Sequence, residues 1–419
     1  MSHPYLIEYV SAAIFLLAVL HTFATKHFQH LAHINPRHAG IWHLLGEVEV
    51  VFGFWALILV LALAALAGPV TAIVYLDQQN FTEPLFVFVI LVIAGTRPIL
   101  NVTKQLVNCM VRLIPLPEPM AFYLLVLAVI PLLGSFITGP AAMALAALML
   151  RDRYFAQGLP NRLKYATLAV LLVNVSVGGV LTTYAALPVL MVAAKWNWDT
   201  SFMLSFFGWK AAIAVIVNAT GVTLLLRDTL RALPSMTESS GLPTPPLIVL
   251  IHVLFLLGVV MFSHHTVVFM GLFLFFLGYT EAYPRHQSQL LLREGLLVAF
   301  FLAGLVVLGG QQTWWLQPLL AGMNSDTLFL GATALTAITD NAALTYLGSL
   351  VDGIGDVAKY ALVAGAVTGG GLTVIANAPN PAAFAILGSS FDEQAISPLS
   401  LFMYALPPTI IAGICFWIF

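Results

Sequence analysis

An all-α polytopic membrane fold is predicted by three features of this sequence. Apolar residues make up 60% of its 419 positions and charged residues only 8%, against roughly 25% charged in an ordinary soluble domain. The apolar residues fall in repeated runs of about 17 or more, enough helix to cross a hydrocarbon core of about 30 Å. The two halves of the chain also carry similar segments in the same order. A soluble protein of this composition would expose too much apolar surface to stay dispersed. The near-zero net charge of −2 therefore says little about partners; what matters is where the few charges fall. Cys109 and Cys415 give neither a disulfide framework nor a metal spacing. The first apolar run, Tyr5 to Leu20, lacks the basic leader and cleavage site of a signal peptide.

The first half, residues 1–226, reads as spans near 5–24, 44–67 and 84–100, followed by an interfacial amphipathic segment over 101–117. The apolar stretch 119–151 is too long for one span and is interrupted by small and Gly/Pro residues, so it reads as a re-entrant hairpin. A span broken at its middle over 163–194 and a span at 200–226 complete this half. The polar segment 227–245, with Pro234, Gly241, Pro243 and Pro245, is the linker, expected on the cytoplasmic side. The second half, 246–419, repeats the order: spans over 246–262, 266–283 and 290–309, an interfacial segment at 311–323, a hairpin at 326–351, a broken span at 358–388 and a last span at 397–418.

The repeat is visible residue by residue. SFITGPAAMAL at 135–145 aligns with TAITDNAALTY at 336–346, so Ile137, Thr138, Ala141 and Ala142 recur 201 positions later as Ile338, Thr339, Ala342 and Ala343. VSVGG at 175–179 and VTGGG at 367–371 fall at matching places. Threading five spans and one hairpin per half, with the first hairpin open to the cytoplasm, puts thirteen of the sixteen basic residues at the cytoplasmic face, as the positive-inside rule requires. The first hairpin is flanked by Arg151, Arg153, Arg162 and Lys164, the second by Asp352 and Asp356. The hairpins thus face opposite sides and the repeats are inverted, with the N-terminus outside.

Inverted repeats with interrupted helices are the architecture of secondary transporters, in which half-helix ends present N–H groups or carbonyls to a bound ion. Four breaks are expected: Gly134 to Pro140, Asn174 to Gly179, Thr336 to Asn341, and Gly369 to Gly371 running on to Pro381. Alone, each Gly or Pro here could also mark close packing or a kink. The tips differ chemically. The first reads Thr138-Gly139-Pro140, the second Thr339-Asp340-Asn341. An ionisable side chain at membrane depth costs at least about 2.5 kcal/mol and is a functional candidate by default. Asp340 is the carboxylate at a break; it can also serve simply as a helix N-cap. With Thr336, Thr339, Asn341, Asn377 and Asn380 nearby in sequence or in the other break, it offers the hard oxygen donors a small cation prefers, and it can hold a proton instead. Ser135, Thr138, Asn174 and Ser176 are the polar residues of the first half's breaks.

Lys210, about ten residues into a span, is a candidate charge partner for Asp340, or it snorkels to an interface. Six of the eleven histidines lie between His21 and His43, with His27, His30 and His33 spaced by threes; metal binding, pH sensing and a merely amphipathic interfacial loop are the open readings. Gly353-Ile354-Gly355-Asp356 matches the GxGD string of intramembrane aspartyl proteases, but the companion Tyr-Asp and Pro-Ala-Leu motifs are absent. No Walker motif, HExxH or nucleophile elbow occurs, so neither an enzyme nor a nucleic-acid-binding protein is expected.

The chain resembles, over its whole architecture and with specific motifs concentrated in residues 263–409, the bacterial sodium/proton antiporters of the ion transporter superfamily, which also includes the NhaB and NhaD antiporters, arsenite pumps and dicarboxylate carriers. Asn377-Ala378-Pro379-Asn380-Pro381-Ala382-Ala383-Phe384 is similar to the NATPNGQAAF stretch of NhaB proteins, and Ala405-Leu406-Pro407-Pro408-Thr409 to their ALPYT. Thr339-Asp340-Asn341 resembles the hairpin tip of NhaD, and Ser263 to Val268 the outer turn of the arsenite pumps. The resemblance implies a dimerising scaffold, a mobile elevator domain of hairpins and broken spans, and an ion site between the two tips and the two breaks. It implies no cofactor beyond transported Na⁺ and H⁺, with the lipid bilayer of a bacterial inner membrane as surroundings. The expected function is Na⁺ or Li⁺ exchange for H⁺ with Asp340 as the shared site. The alternative is cation-coupled transport of an organic or inorganic anion; the carboxylate carriers' serine-asparagine-threonine signatures are degraded here.

Overall fold

A computed structural model describes residues 4–34, 36–157, 159–233, 244–391 and 396–418. Among these the chain is helical and has no strand. The first half contains α1 (Pro4–Ile34), α2 (Ala39–Leu45), α3 (Val48–Ala67), α4 (Pro69–Asp77), α5 (Thr82–Ala94) and α6 (Arg97–Val111). Next come α7 (Glu118–Ile137), α8 (Gly139–Arg153), α9 (Asn161–Gly178), α10 (Leu187–Trp196), α11 (Thr200–Met203), α12 (Trp209–Leu225) and α13 (Arg227–Ala232). The second half contains α14 (Pro246–Met261), α15 (Thr266–Ala282), α16 (Leu292–Gly309), α17 (Thr313–Ala321), α18 (Ser325–Thr336), α19 (Asn341–Ser349), α20 (Asp356–Gly369), α21 (Asn380–Leu387) and α22 (Pro398–Ile418). Seven described helical runs are long and apolar enough to cross a membrane, an eighth being the α4–α5 pair bent by 56°. The molecule is a multi-pass membrane protein. Residues 234–243 of the linker lie outside the described ones.

Local sequence explains where helices stop and restart. α8, α10 and α21 resume with a proline in the first turn, where the missing N–H is not needed and the fixed φ suits a helix. α19 resumes instead with Asp340 as N-cap, its Oδ1 accepting from Ala342 N at 2.8 Å and Ala343 N at 3.2 Å. The span expected at 84–100 ends at Ala94, because Pro98 opens the amphipathic α6, which buries Ile99, Thr103 and Val107 on one side. α4 has no counterpart among the predicted elements: Gly68 turns the chain at φ 95°, and the short apolar run after it packs back on α3.

Two helical groups surround the core. In one, α3 packs on α16 and α1, and α5 packs on α14, α15 and α16. The α3–α16 contact is backbone to backbone: a β-carbon on Gly304 would lie 2.4 Å from Gly53 N. In the other group, α7 packs on α9 and α18 on α20, with α12 and α22 against them. The second arms cross over. α10 of the first half packs on α19 of the second, and α21 of the second packs on α8 of the first.

Candidate ion site at the helix breaks

The first hairpin turns in the protein interior, at buried Thr138, whereas the second turn carries Ile338, which is 51% exposed. Between α7 and α8 the turn is Thr138 alone, held at φ 75° and ψ 151°, a conformation that is strained for a β-branched residue. Between α18 and α19 it spans Ala337 to Asp340. The neighbouring breaks are wider: α9 gives way to a short turn at Gly179–Leu181 before α10, and residues 370–379 separate α20 from α21. Gly139 at the first tip meets Pro379 of the second break, where an added β-carbon would lie 3.0 Å from Pro379 Cγ. Asn341 at the second tip donates its backbone N–H to Ala376 O at 3.1 Å.

These four pieces wall a cavity of about 10 Å³, lined by Gly139 and Pro140, by Ser176 and Gly179, by Ala185 to Pro188, and by Asn341, Asn377 and Pro379. That is the room taken by about one water molecule. Asn341 is fully buried and neither its Oδ1 nor its Nδ2 has a hydrogen-bond partner in the protein. The same holds for the hydroxyls of Thr138 and Thr336 and for Asn380 Oδ1. Each unsatisfied buried group costs about 1–3 kcal/mol, so these groups, at the tips and breaks of the helices, are candidates to receive a ligand. Neutral amide and hydroxyl oxygens are hard donors suited to a small, hard cation.

The other predicted residues separate into distinct roles. Ser135 Oγ donates to Gly178 O at 2.7 Å and accepts from Leu181 N at 2.9 Å, tying the first hairpin to the first break. Asn174 is consumed by structure: Nδ2 donates to Leu127 O and Val215 O, and Oδ1 accepts from Asn218 Nδ2 at 3.0 Å. Ser176 Oγ donates across the halves to Val367 O at 2.7 Å. Asn380 Nδ2 bridges Gly370 O and Thr373 O, both at 2.8 Å, holding the second break open. Thr339 Oγ1 donates back to Leu335 O at 2.9 Å.

Asp340 and Asn341, adjacent in sequence, line different cavities. Thr339 and Asp340 line a cavity of about 300 Å³ between the second hairpin and α1, α3 and α16, with walls that include Phe15, Phe52, Phe301 and Trp315. Asn377 lines the small cavity instead. The carboxylate and the amide cluster are therefore separate, where the sequence pattern had grouped them. Lys210 is buried and engaged elsewhere: its Nζ donates to Tyr360 Oη at 2.9 Å and lies 4.6 Å from that ring's centre. Tyr360 Oη in turn donates to Phe416 O at 2.8 Å. Asp356 is exposed and paired with Lys359. His27 is exposed, and the side chains of His30 and His33 lie outside the described ones.

Two contributors went unread in the sequence. The Ala376 carbonyl that fixes the second tip leaves no trace in residue identity. Glu83 stands beside Pro84 at the head of an apolar run, a pattern that reads as an ordinary helix start, yet it lines a cavity with residues of the first break. Residues 6–419 match the protein family described as "Putative Na+/H+ antiporter". No curated protein matches the chain.

Proposed function

Because the chain belongs to this Na⁺/H⁺ antiporter family, we propose that it is a secondary transporter that exchanges Na⁺ or Li⁺ for H⁺ by alternating access. The observation that carries the reading is Asn341: a fully buried amide with both polar atoms unpartnered, at a hairpin tip that faces both helix breaks. In this reading the cation is taken by neutral oxygens of Asn341, Asn377 and the break backbone, and Asp340, one residue away on the other face of the tip, carries the proton. Ionising Asp340 would draw the cation to the tip, and neutralising it would release the cation.

The two halves are taken as inverted repeats. The crossing of α10 onto α19 and α21 onto α8 supports this, since exchanging the halves maps one contact onto the other. An elevator motion is assigned to the hairpin and broken-helix group against the helices around α3 and α16.

The test is proton flux in proteoliposomes under imposed Na⁺, Li⁺ and K⁺ gradients. Na⁺- and Li⁺-driven flux that is lost in both Asp340→Asn and Asn341→Ala supports the exchange. Retained Na⁺-driven flux in Asp340→Asn overturns the proton role, and Na⁺ uptake that depends on an added anion overturns antiport.

A further inference from the structure

We infer that Glu83 guards an access route for small monovalent cations, running from the face that carries the α14–α15 turn, through the first helix break, to the cavity at Asn341. The inference rests on reading that cavity as a cation site, and it adds a second carboxylate and a side of approach.

Glu83 is half-buried in the first turn of α5, with Asn80 Nδ2 3.5 Å from its Oε1. It lines a cavity of about 50 Å³ together with His264 of the α14–α15 turn and Thr183 and Tyr184 of the first break. Tyr184 is also a wall of the next cavity, about 10 Å³, whose other walls include Thr138, Pro140 and Leu187. Pro140 and Leu187 then line the Asn341 cavity. Three spaces in series thus share walls, and the lining polar groups run from carboxylate to tyrosine, to the unpartnered Thr138 hydroxyl, to the unpartnered Asn341 amide.

The chemistry of this order is selective. A carboxylate at the mouth concentrates cations and repels anions, while the neutral oxygens behind it replace hydration without trapping the ion by charge. The middle space is of single-water size, so only a small ion stripped of most of its water passes. The ionisable neighbours include His264 and Tyr184, which line the same cavity, and, from α19, Tyr346.

Thr183→Cys in a Cys109→Ser, Cys415→Ser background, reconstituted in sealed proteoliposomes at pH 8, tests the route without a transport assay. The probes are a cationic and an anionic membrane-impermeant methanethiosulfonate, with the ratio of their reaction rates normalised to a free thiol. A normalised ratio of about ten in favour of the cation is expected, falling at least threefold with Glu83→Gln and unchanged with Asp77→Asn, an exposed acid at the end of α4. A ratio that Glu83→Gln leaves unchanged overturns the inference. If Thr183→Cys does not assemble, Ala194→Cys, which lines the same cavity, takes its place. In parallel, Glu83→Gln should raise the half-saturating Na⁺ concentration several-fold from that side only. Absence of any Na⁺-driven flux in the unmutated protein would overturn the antiport reading, while the reagent ratio would still decide the route.

Discussion

Ser176 and Asn341, from opposite halves of the chain, meet across Gly370. A β-carbon placed on Gly370 would lie 2.2 Å from Ser176 Oγ and 2.9 Å from Asn341 Nδ2. Only a residue without a side chain lets the first break and the second tip share one cavity. Gly370→Ala should destabilise the protein by about 1–3 kcal/mol through overpacking and abolish cation exchange. Ser176→Ala, combined with it, removes the nearer obstacle, so the double variant should regain part of the lost stability. Melting temperatures in detergent of the two single variants and the double variant check this; a double variant no more stable than Gly370→Ala would refute the steric account.

Asp340 combines an N-cap with the proposed proton site, and two substitutions pull these apart. Asn is as good an N-cap as Asp, whereas Ala lacks the acceptor and costs about 1 kcal/mol. Asp340→Asn should melt within about 0.5 kcal/mol of the parent protein and Asp340→Ala should melt lower, while both lose proton flux. A transport defect confined to Asp340→Ala would leave the carboxylate only its capping role.

Asn174 and Asn341 make opposite predictions from the same residue type. Asn174 satisfies Leu127 O, Val215 O and Asn218, so Asn174→Ala strands buried groups and should cost about 1–3 kcal/mol for each one left unsatisfied. Asn341 has no partner for either polar atom. Asn341→Ala should leave the melting temperature unchanged or raised while removing Na⁺-driven flux. Thermal melting and flux measured on the same preparations separate the two.

Thr138 adopts a backbone conformation that glycine takes without strain. Conformations of this kind cost about 1–3 kcal/mol for other residues. Thr138→Gly should therefore stabilise the protein by about 1 kcal/mol, less the greater chain entropy of glycine, yet weaken cation affinity because the unpartnered hydroxyl is gone. A Thr138→Gly protein with unchanged half-saturating Na⁺ would show that the strain serves packing alone.

Lys210 gives a control of the opposite kind. Its ammonium is held by Tyr360 and lines neither the Asn341 nor the Asp340 cavity. Replacing a buried charge with an apolar chain of similar length is often neutral or stabilising. Lys210→Met should keep Na⁺-driven flux and melt no lower than the parent. Loss of flux at full stability would give Lys210 a part in transport.

Much of the helical layout was legible because hydrophobic runs, prolines and glycines report directly on whether a backbone can continue as helix in an apolar medium. The interruptions named at Gly134 to Pro140 and at Thr336 to Asn341 coincide with helix ends at Thr138 and Asp340. The direction of a side chain at a break was not legible. Asp340 and Asn341 look like one cluster on paper, but the turn of a new helix between them sends them to different cavities. Asn174 and Asn341 look equivalent for the same reason, until the carbonyls around Asn174 are counted. Partners supplied by backbone atoms, such as Ala376 O, carry no residue signature. The fold-back of α4 follows from Gly68, a local rule that a search for membrane-length runs passes over.

The crossing of α21 onto α8 has a consequence for how the protein is made. During synthesis the face of α8 that α21 will cover emerges long before its mate exists. At roughly 5–20 residues per second, more than two hundred residues of intervening chain leave it waiting on the order of tens of seconds. The first hairpin must therefore rest in the translocon or against lipid in a provisional arrangement. Formation of the cavity at Asn341 is then a late, post-insertion event that needs the nearly complete chain, and truncation anywhere before the second break should leave a membrane-inserted protein without it.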